Sequence, residues 1–299
     1  MNLNKYFEEK KLIIDNTLKK YFKIPKESPF VPIYEAMLYT LFPGGKRIRA
    51  ILTLAAAEAL KKDVESVLHV ACALEAIHNY SLIHDDLPCI DDDDFRRGKP
   101  SNHKVYGEDI AVLAGDGLLT LAFEFLSDPA NPIKDPKIQM EAVYELSRAA
   151  GPRGMVGGQA CEVQKRKEEK CDVPTLDFLH IHKTGMLLRA SVTVPAKLLR
   201  ATETQYNALK TYGSNLGLAF QIVDDIADMN QGKSNQVSYP AIISLDECRS
   251  RSLELKDQAI KALSLFGSEA DPLRHIASFV VESMHDKKSP SPKTKTAST

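Results

Sequence analysis

Six carboxylates crowd into one short run, HDDLPCIDDDD at residues 84 to 94: Asp85, Asp86, Asp91, Asp92, Asp93 and Asp94. Arg96, Arg97 and Lys99 follow at once. Carboxylates this close repel each other. A solvated loop tolerates that, but this run grows out of VLHVACALEAIHNYSLIH, an apolar helix-forming stretch that must be buried. Carboxylates at the mouth of a core helix need a cation. Every donor is oxygen, which suits Mg²⁺ or Mn²⁺ rather than a soft metal. Mg²⁺ takes few carboxylates and completes its shell with phosphate oxygens. The three basic residues supply donors for such an anion. The block reads as a metal-bridged di- or polyphosphate site.

A second acidic cluster lies far downstream in FQIVDDIADMNQGK, with Asp224, Asp225 and Asp228. On a helix Asp224 and Asp228 share a face, and Asp225 lies about 100° round. Two such clusters on helix ends can clamp several metal ions from opposite walls. EF-hand spacing is absent, and Asp91 to Asp94 lacks the glycine such a loop needs.

A third element is GGKRIR at 44 to 49. Gly44 and Gly45 allow a turn at a helix start. Lys46 and Arg49 share a face and Arg47 points away. Backbone N–H groups at a helix start attract anions, and two basic residues in a first turn oppose the helix dipole unless an anion offsets them. The spacing is not a Walker loop. His78, about two turns before Asp85, could join an anion site or be an ordinary semi-buried histidine. Tyr80 and Ser81 sit five and four residues before Asp85, facing the interior where an apolar substrate tail would run. Lys183 and Thr184 are polar residues in an apolar setting, and Lys183 is a candidate phosphate donor or a snorkelling lysine. Gln159 could take a functional role.

These residues need helices to hold them. The chain has 299 residues, 43% of them hydrophobic, no tryptophan and a formal net charge of −1. Alanine and leucine are abundant and β-branched runs short, an all-α composition. Nothing global points to nucleic acid. No apolar stretch reaches about 18 residues without a charge or strong polar break, and no secretory signal opens the chain, so a soluble cytoplasmic protein without a membrane span is expected. The five cysteines form no CxxC pair, and no disulfide framework is expected. Helices are expected over 1–20, 33–41, 64–84, 109–125, 138–149, 206–229, 253–266 and 271–284. Residues 151–164, glycine-rich at first, could be loop or helix. KRKEEKCD at 165–172 reads as a solvated polar stretch. Thr175 is the expected N-cap of the next helix. No linker shows a composition shift, so one helical domain over 1–285 is expected, followed by a disordered basic tail rich in Pro, Ser and Thr at 286–299.

The chain resembles the trans-isoprenyl diphosphate synthases, the farnesyl and geranylgeranyl diphosphate synthase family, over roughly residues 28 to 284. GGKRIR, HDDLPCIDDDDFRRGKPSNHKVYGE at 84 to 108, AVLAGDGLL at 111 to 119, HKTG at 182 to 185 and FQIVDDIAD at 220 to 228 carry the resemblance. It implies an all-α, single-domain helical bundle around a deep central cavity, of the isoprenoid synthase type, and a homodimer. It implies that Asp85, Asp91 and Asp86 hold two Mg²⁺ on the allylic diphosphate, and that Asp224, with Asp225 or Asp228, holds a third, Mn²⁺ being possible in their place. Arg96, Lys183 and Lys233 would touch the allylic diphosphate. Lys46, Arg49, His78 and Arg97 would hold isopentenyl diphosphate, and Thr184 and Gln221 would line the reaction centre. The implied reaction joins isopentenyl diphosphate head-to-tail to dimethylallyl or geranyl diphosphate after Mg²⁺-assisted ionisation. Tyr80 resembles the bulky floor of bacterial-type farnesyl synthases, which implies a C15 product. The alternatives are a C20 geranylgeranyl synthase or a weakly catalytic or non-catalytic subunit of a heteromeric enzyme. The chain departs from the family pattern in the short NQGKSNQVSYP segment, where Gln236 stands in place of a lysine.

Overall fold

The computed structural model describes residues 1–22, 27, 29–42, 44–166, 171–230 and 237–285, with side chains as far as 282. The expected tail at 286–299 and Lys233 lie outside the described residues. The rest is one helical bundle whose only strands, among the described residues, are the two short ones of a hairpin.

The bundle is built on α4 (Leu68–Asp85), entered through a 3₁₀ turn at Val64–Val67. Twelve of the 18 residues of α4 are buried, including Glu75 and Asn79. A helix apolar on all sides belongs in the middle, and α4 is covered by α1 (Leu3–Tyr21), α2 (Val31–Leu41), α3 (Ile48–Ala59) and α6 (Glu108–Ser127). α5 (Asn102–Tyr106) is tied to α2 by the Asn102 amide, which donates to the Ala36 carbonyl (2.7 Å) and the Thr40 hydroxyl (2.9 Å). α7 (Pro136–Ala150) and α8 (Met155–Lys165) follow, so residues 155–165 are helical rather than loop.

The next segment changes pitch. α9 (Val173–His180) runs into a π-helical turn at Ile181–Gly185 and continues as α10 (Met186–Leu198). Its N-cap is Asp172, whose carboxylate accepts from the Thr175 N–H at 3.0 Å, so Thr175 receives the cap rather than providing it. Aspartate caps better than threonine, and its place before Pro174 suits the first turn. α11 (Glu203–Asn230) is the longest element, and α12 (Leu245–Ala262) and α13 (Asp271–His285) complete the chain. α12 begins eight residues before the expected start at Leu253, at a capping box formed by Ser244 and Glu247.

Two apolar clusters share α11. Leu209, Tyr212, Leu216, Ala219 and Val223 join the main core, whereas Leu218, Ile222 and Ile226 pack with Leu176, Leu179, Val237 and Tyr239. Polar ties lock the layers: Thr53 on α3 donates to the Ser191 carbonyl on α10 at 2.9 Å, and Tyr212 on α11 donates to the Leu273 carbonyl on α13 at 2.8 Å. α6 is long and apolar enough to cross a membrane by length and composition; here its inner side, including Ala111, Ala114, Leu118 and Ala122, is buried in the bundle.

Candidate active site

The first acidic run leaves α4 at Asp85 and turns back on itself. The Asp91 N–H donates to the Asp85 carbonyl at 2.9 Å, and the N–H groups of Ile90 and Asp92 both reach the Leu87 carbonyl. This closed turn through Pro88 sets Asp91 over the end of α4, beside Asp85. Burial pushes the Asp85 carboxyl up to about 6; Lys183 opposes that shift, and Asp91 and Glu162 add to it. Asp86 differs. It is buried at 2% exposure and paired with the Arg96 guanidinium, which also holds Asp93 at 2.9 Å. Burial raises its pKa against the pull of Arg96. The hairpin of β1 (Phe95–Arg96) and β2 (Lys99–Pro100) carries Arg96 to that position.

The basic residues of the GGKRIR loop separate by role. Arg47, with φ of 55°, turns inward and is 2% exposed. It donates to Asp15 (3.0 Å), Glu75 (2.8 Å) and the Leu41 carbonyl (2.7 Å). That anchor leaves Lys46 and Arg49 to face elsewhere. Lys46 is exposed, its Nζ 5.2 Å from the centre of the Phe279 ring. The Arg49 Nε is buried without a hydrogen-bond partner. Burial lowers the Arg49 pKa to about 10, with Glu75 opposing and Arg97 adding to the shift. Arg97 Nη2 lies 3.5 Å from His78 Nε2, and burial together with Arg49 and Arg97 holds His78 well below its ordinary range. Arg97 depresses Arg49 and both depress His78, and with the Arg49 Nε orphaned this basic cluster makes a place for an anion. The structure brings Arg49, His78 and Arg97 together and leaves Lys46 exposed.

The π turn joins this wall to the other. Lys183 Nζ pairs with Glu162 at 2.7 Å and acts on Asp85 through its charge. Its neighbour Thr184 donates to the Gln221 side-chain oxygen at 2.9 Å, one turn before the second acidic cluster. Wider π turns set two adjacent side chains in directions that an α-helix cannot. The turn is pinched in place: a Cβ at Gly158 on α8 would come within 2.3 Å of the Lys183 nitrogen, and one at Gly217 on α11 within 2.7 Å of the Gly185 Cα. Gly213 makes an equally close approach to Arg189.

On α11, Asp224 and Asp228 are half-buried on one face. Asp225 is turned the other way, 8% exposed, and its oxygens are already engaged. Gln221 Nε2 donates to Oδ1 at 3.0 Å, the Tyr239 N–H donates to Oδ2 at 2.9 Å, and His180 Nε2 lies 3.1 Å from Oδ2.

Asp85 is a half-buried carboxylate whose charge desolvation disfavours, and it lies beside Asp91. This all-oxygen pair fits a hard divalent cation. Among the described residues Asp92, Asp94 and His103 form a further group whose ligand atoms lie within 4.8 Å of one another and could hold a divalent metal. Sequence spacing missed His103, because only the hairpin folds it back over the acidic run. Asp94 there is paired with Lys104 at 2.6 Å. Sequence reading also missed Glu162 and Arg166. Arg166, though exposed, is tied down: it donates to Asp91 at 2.6 Å and pairs with Glu162, while residues 167–170 of that polar stretch lie outside the described residues. Lysine and arginine outweigh the burial of Glu162 and hold its carboxyl below the ordinary range.

The family model described as Polyprenyl synthetase matches residues 31–254. A geranylgeranyl diphosphate synthase of Cyanophora paradoxa is 41% identical over 292 residues, 94% of this chain and 96% of that protein. A farnesyl diphosphate synthase of Geobacillus stearothermophilus is 41% identical over 257 residues, 82% of this chain and 86% of that protein. The crystal structure of an FPP/GFPP synthase from Zymomonas mobilis superposes with a TM-score of 0.87 at 41% identity, covering 94% of this chain and 99% of that one.

Proposed function

The chain belongs to the polyprenyl synthetase family, and from that premise we propose that it is a Mg²⁺-dependent prenyltransferase that extends allylic diphosphates with isopentenyl diphosphate to a C20 product. The head-to-tail condensation itself is the reaction of the family. The observation that carries the rest is the π turn, because Lys183 acts on Asp85 while its neighbour Thr184 is bonded to Gln221 below Asp224. On this reading one element serves both acidic walls of the reaction centre.

Asp85 and Asp91 would hold metal on the first wall, with Asp224 and Asp228 on the second. Asp86 and Asp225 are committed to Arg96 and to the His180–Gln221–Tyr239 set, so their part is to position. Bound metal would neutralise the diphosphate and stabilise it as a leaving group. Lys183 adds positive charge where the departing oxygens develop theirs. Arg49, His78 and Arg97 hold the second diphosphate, with Lys46 at the entrance, and so fix the isopentenyl C=C bond against the allylic carbon. Attack forms the new C–C bond, and the departed diphosphate is the base that takes the proton. The buried apolar faces of α4 and α6 exclude water, which would otherwise quench the cation.

The C20 reading is supported by geranylgeranyl synthases such as the Cyanophora enzyme, which matches 94% of this chain. It replaces the C15 expectation as the main reading. A C15 product is the second reading, favoured by Tyr80, which is buried five residues before Asp85 with its hydroxyl unpartnered. Chromatography of products made from labelled isopentenyl diphosphate with dimethylallyl, geranyl or farnesyl diphosphate decides. Farnesyl diphosphate is expected to be accepted as a primer and extended once. Accumulation of C15 with no extension of farnesyl diphosphate would establish the second reading, and Tyr80→Ala should then lengthen the product. No product from any primer would overturn the enzyme reading. A homodimer is proposed across the exposed apolar side chains of α6 and α7, Val112, Leu113, Met140 and Tyr144; a monomeric mass by light scattering would refute it.

A further inference from the structure

Four charges form an unbroken chain along the mouth of the site. Lys183 pairs with one oxygen of Glu162, Arg166 pairs with the other, and the far end of Arg166 donates to Asp91 at 2.6 Å. The exposures differ in a telling way. Glu162 is 8% exposed and fixed between two cations, whereas the Arg166 side chain is 33% exposed and Asp91 23% exposed. Glu162 is therefore the post and Arg166 the arm.

We propose that Arg166 is an exchangeable counter-ion for Asp91 and a diphosphate-binding residue in turn. Without metal, its guanidinium neutralises a carboxylate that the crowded acidic turn would otherwise leave repelling Asp85. When a divalent cation takes Asp91, Arg166 lets go but stays tethered to Glu162, one helical turn away on α8. A guanidinium carries five N–H donors in a planar fork. Freed from Asp91, the outer edge of that fork faces the oxygens of a diphosphate held between Asp91 and Lys183. Glu162 positions both cations, since the same carboxylate grips Lys183. The close approach of α8 to the π turn at Gly158 is what brings Glu162 within reach. The role rests on the diphosphate reading above.

The two halves of the proposal push Arg166→Met in opposite directions. Mn²⁺ binding followed by electron paramagnetic resonance, without anion, should tighten about fivefold in the variant, because a half-exposed competing charge is gone. Inorganic pyrophosphate binding at saturating Mn²⁺, followed by calorimetry, should weaken about tenfold or more, because a forked donor is lost. Arg166→Lys should restore most of the competition with Mn²⁺ but not the pyrophosphate affinity. Circular dichroism of each variant checks the fold. If Arg166→Met leaves both affinities unchanged, or weakens both, the exchange is refuted while the diphosphate site stands. If the wild-type protein binds neither Mn²⁺ nor pyrophosphate, the diphosphate reading falls and this role falls with it.

Discussion

Asp224 and Asp225 are adjacent in sequence and live in different surroundings. Helix phase alone separates them: a step of about 100° leaves Asp224 on the face it shares with Asp228 and turns Asp225 into a nest of three partners. The same contrast divides Asp85 from Asp86, where one carboxylate is left for a cation and the next is taken by Arg96. Residue type therefore suggests the chemistry, whereas the division of labour between neighbours depends on what each side chain meets. His69 shows the same dependence in a group that the reaction does not use. It is 3% exposed, and burial lowers its pKa from 6.5 to about 4. Between those values the unfolded chain binds the extra proton and the folded protein does not, so stability rises with pH across the window and is lost as pH falls from 6.5 towards 4. Between pH 7 and pH 5 this one group should remove about 2 kcal/mol. Urea unfolding of His69→Phe at both pH values should show a loss smaller by that amount than the wild type; an identical loss would assign the acid sensitivity elsewhere.

Among the elements, the π turn at Ile181–Gly185 has the largest effect for its length. It presents Lys183 to one wall and Thr184 to the other, and it is held between α8 and α11 by contacts that tolerate no side chain. Gly158→Ala should push the Lys183 backbone outward. The stability cost should be about 1–3 kcal/mol, while turnover at saturating substrates should fall by far more than the unfolded fraction accounts for. Thermal unfolding and kcat measured on the same preparation test this, and full turnover in the variant would show that the spacing is not critical. The sequence marked this stretch through its polar residues, but periodicity could not reveal the π geometry, which needs the packing of two other helices. The helices themselves were legible from their apolar runs and capping residues. Even the early start of α12 had a visible signal in Ser244 and Glu247, a Ser-x-x-Glu box before an amphipathic stretch. Arg166 had none. Charged residues in a polar run look solvated until a neighbouring element supplies Asp91.

At the scale of the whole molecule, Arg47 ties three helices at a single point, through Asp15 on α1, Glu75 on α4 and its own place at the start of α3. Removing one partner of a buried ion cluster strands the others. Arg47→Met should cost about 3–5 kcal/mol in urea unfolding at neutral pH, and a midpoint shift too small for that would mean water reaches Glu75. A near-normal affinity for isopentenyl diphosphate in the surviving folded fraction would also show that Lys46 and Arg49 do not need this anchor. The bundle closes at a second point as well. Phe279 on α13 meets Phe7 on α1 edge-on at 5.2 Å, and the same ring lies under Lys46. Truncating the chain back into α13 would therefore unseat the opening helix at the far end of the sequence and strip the platform from beneath the entrance lysine, so a trimmed variant should be judged at its basic loop before its aspartates.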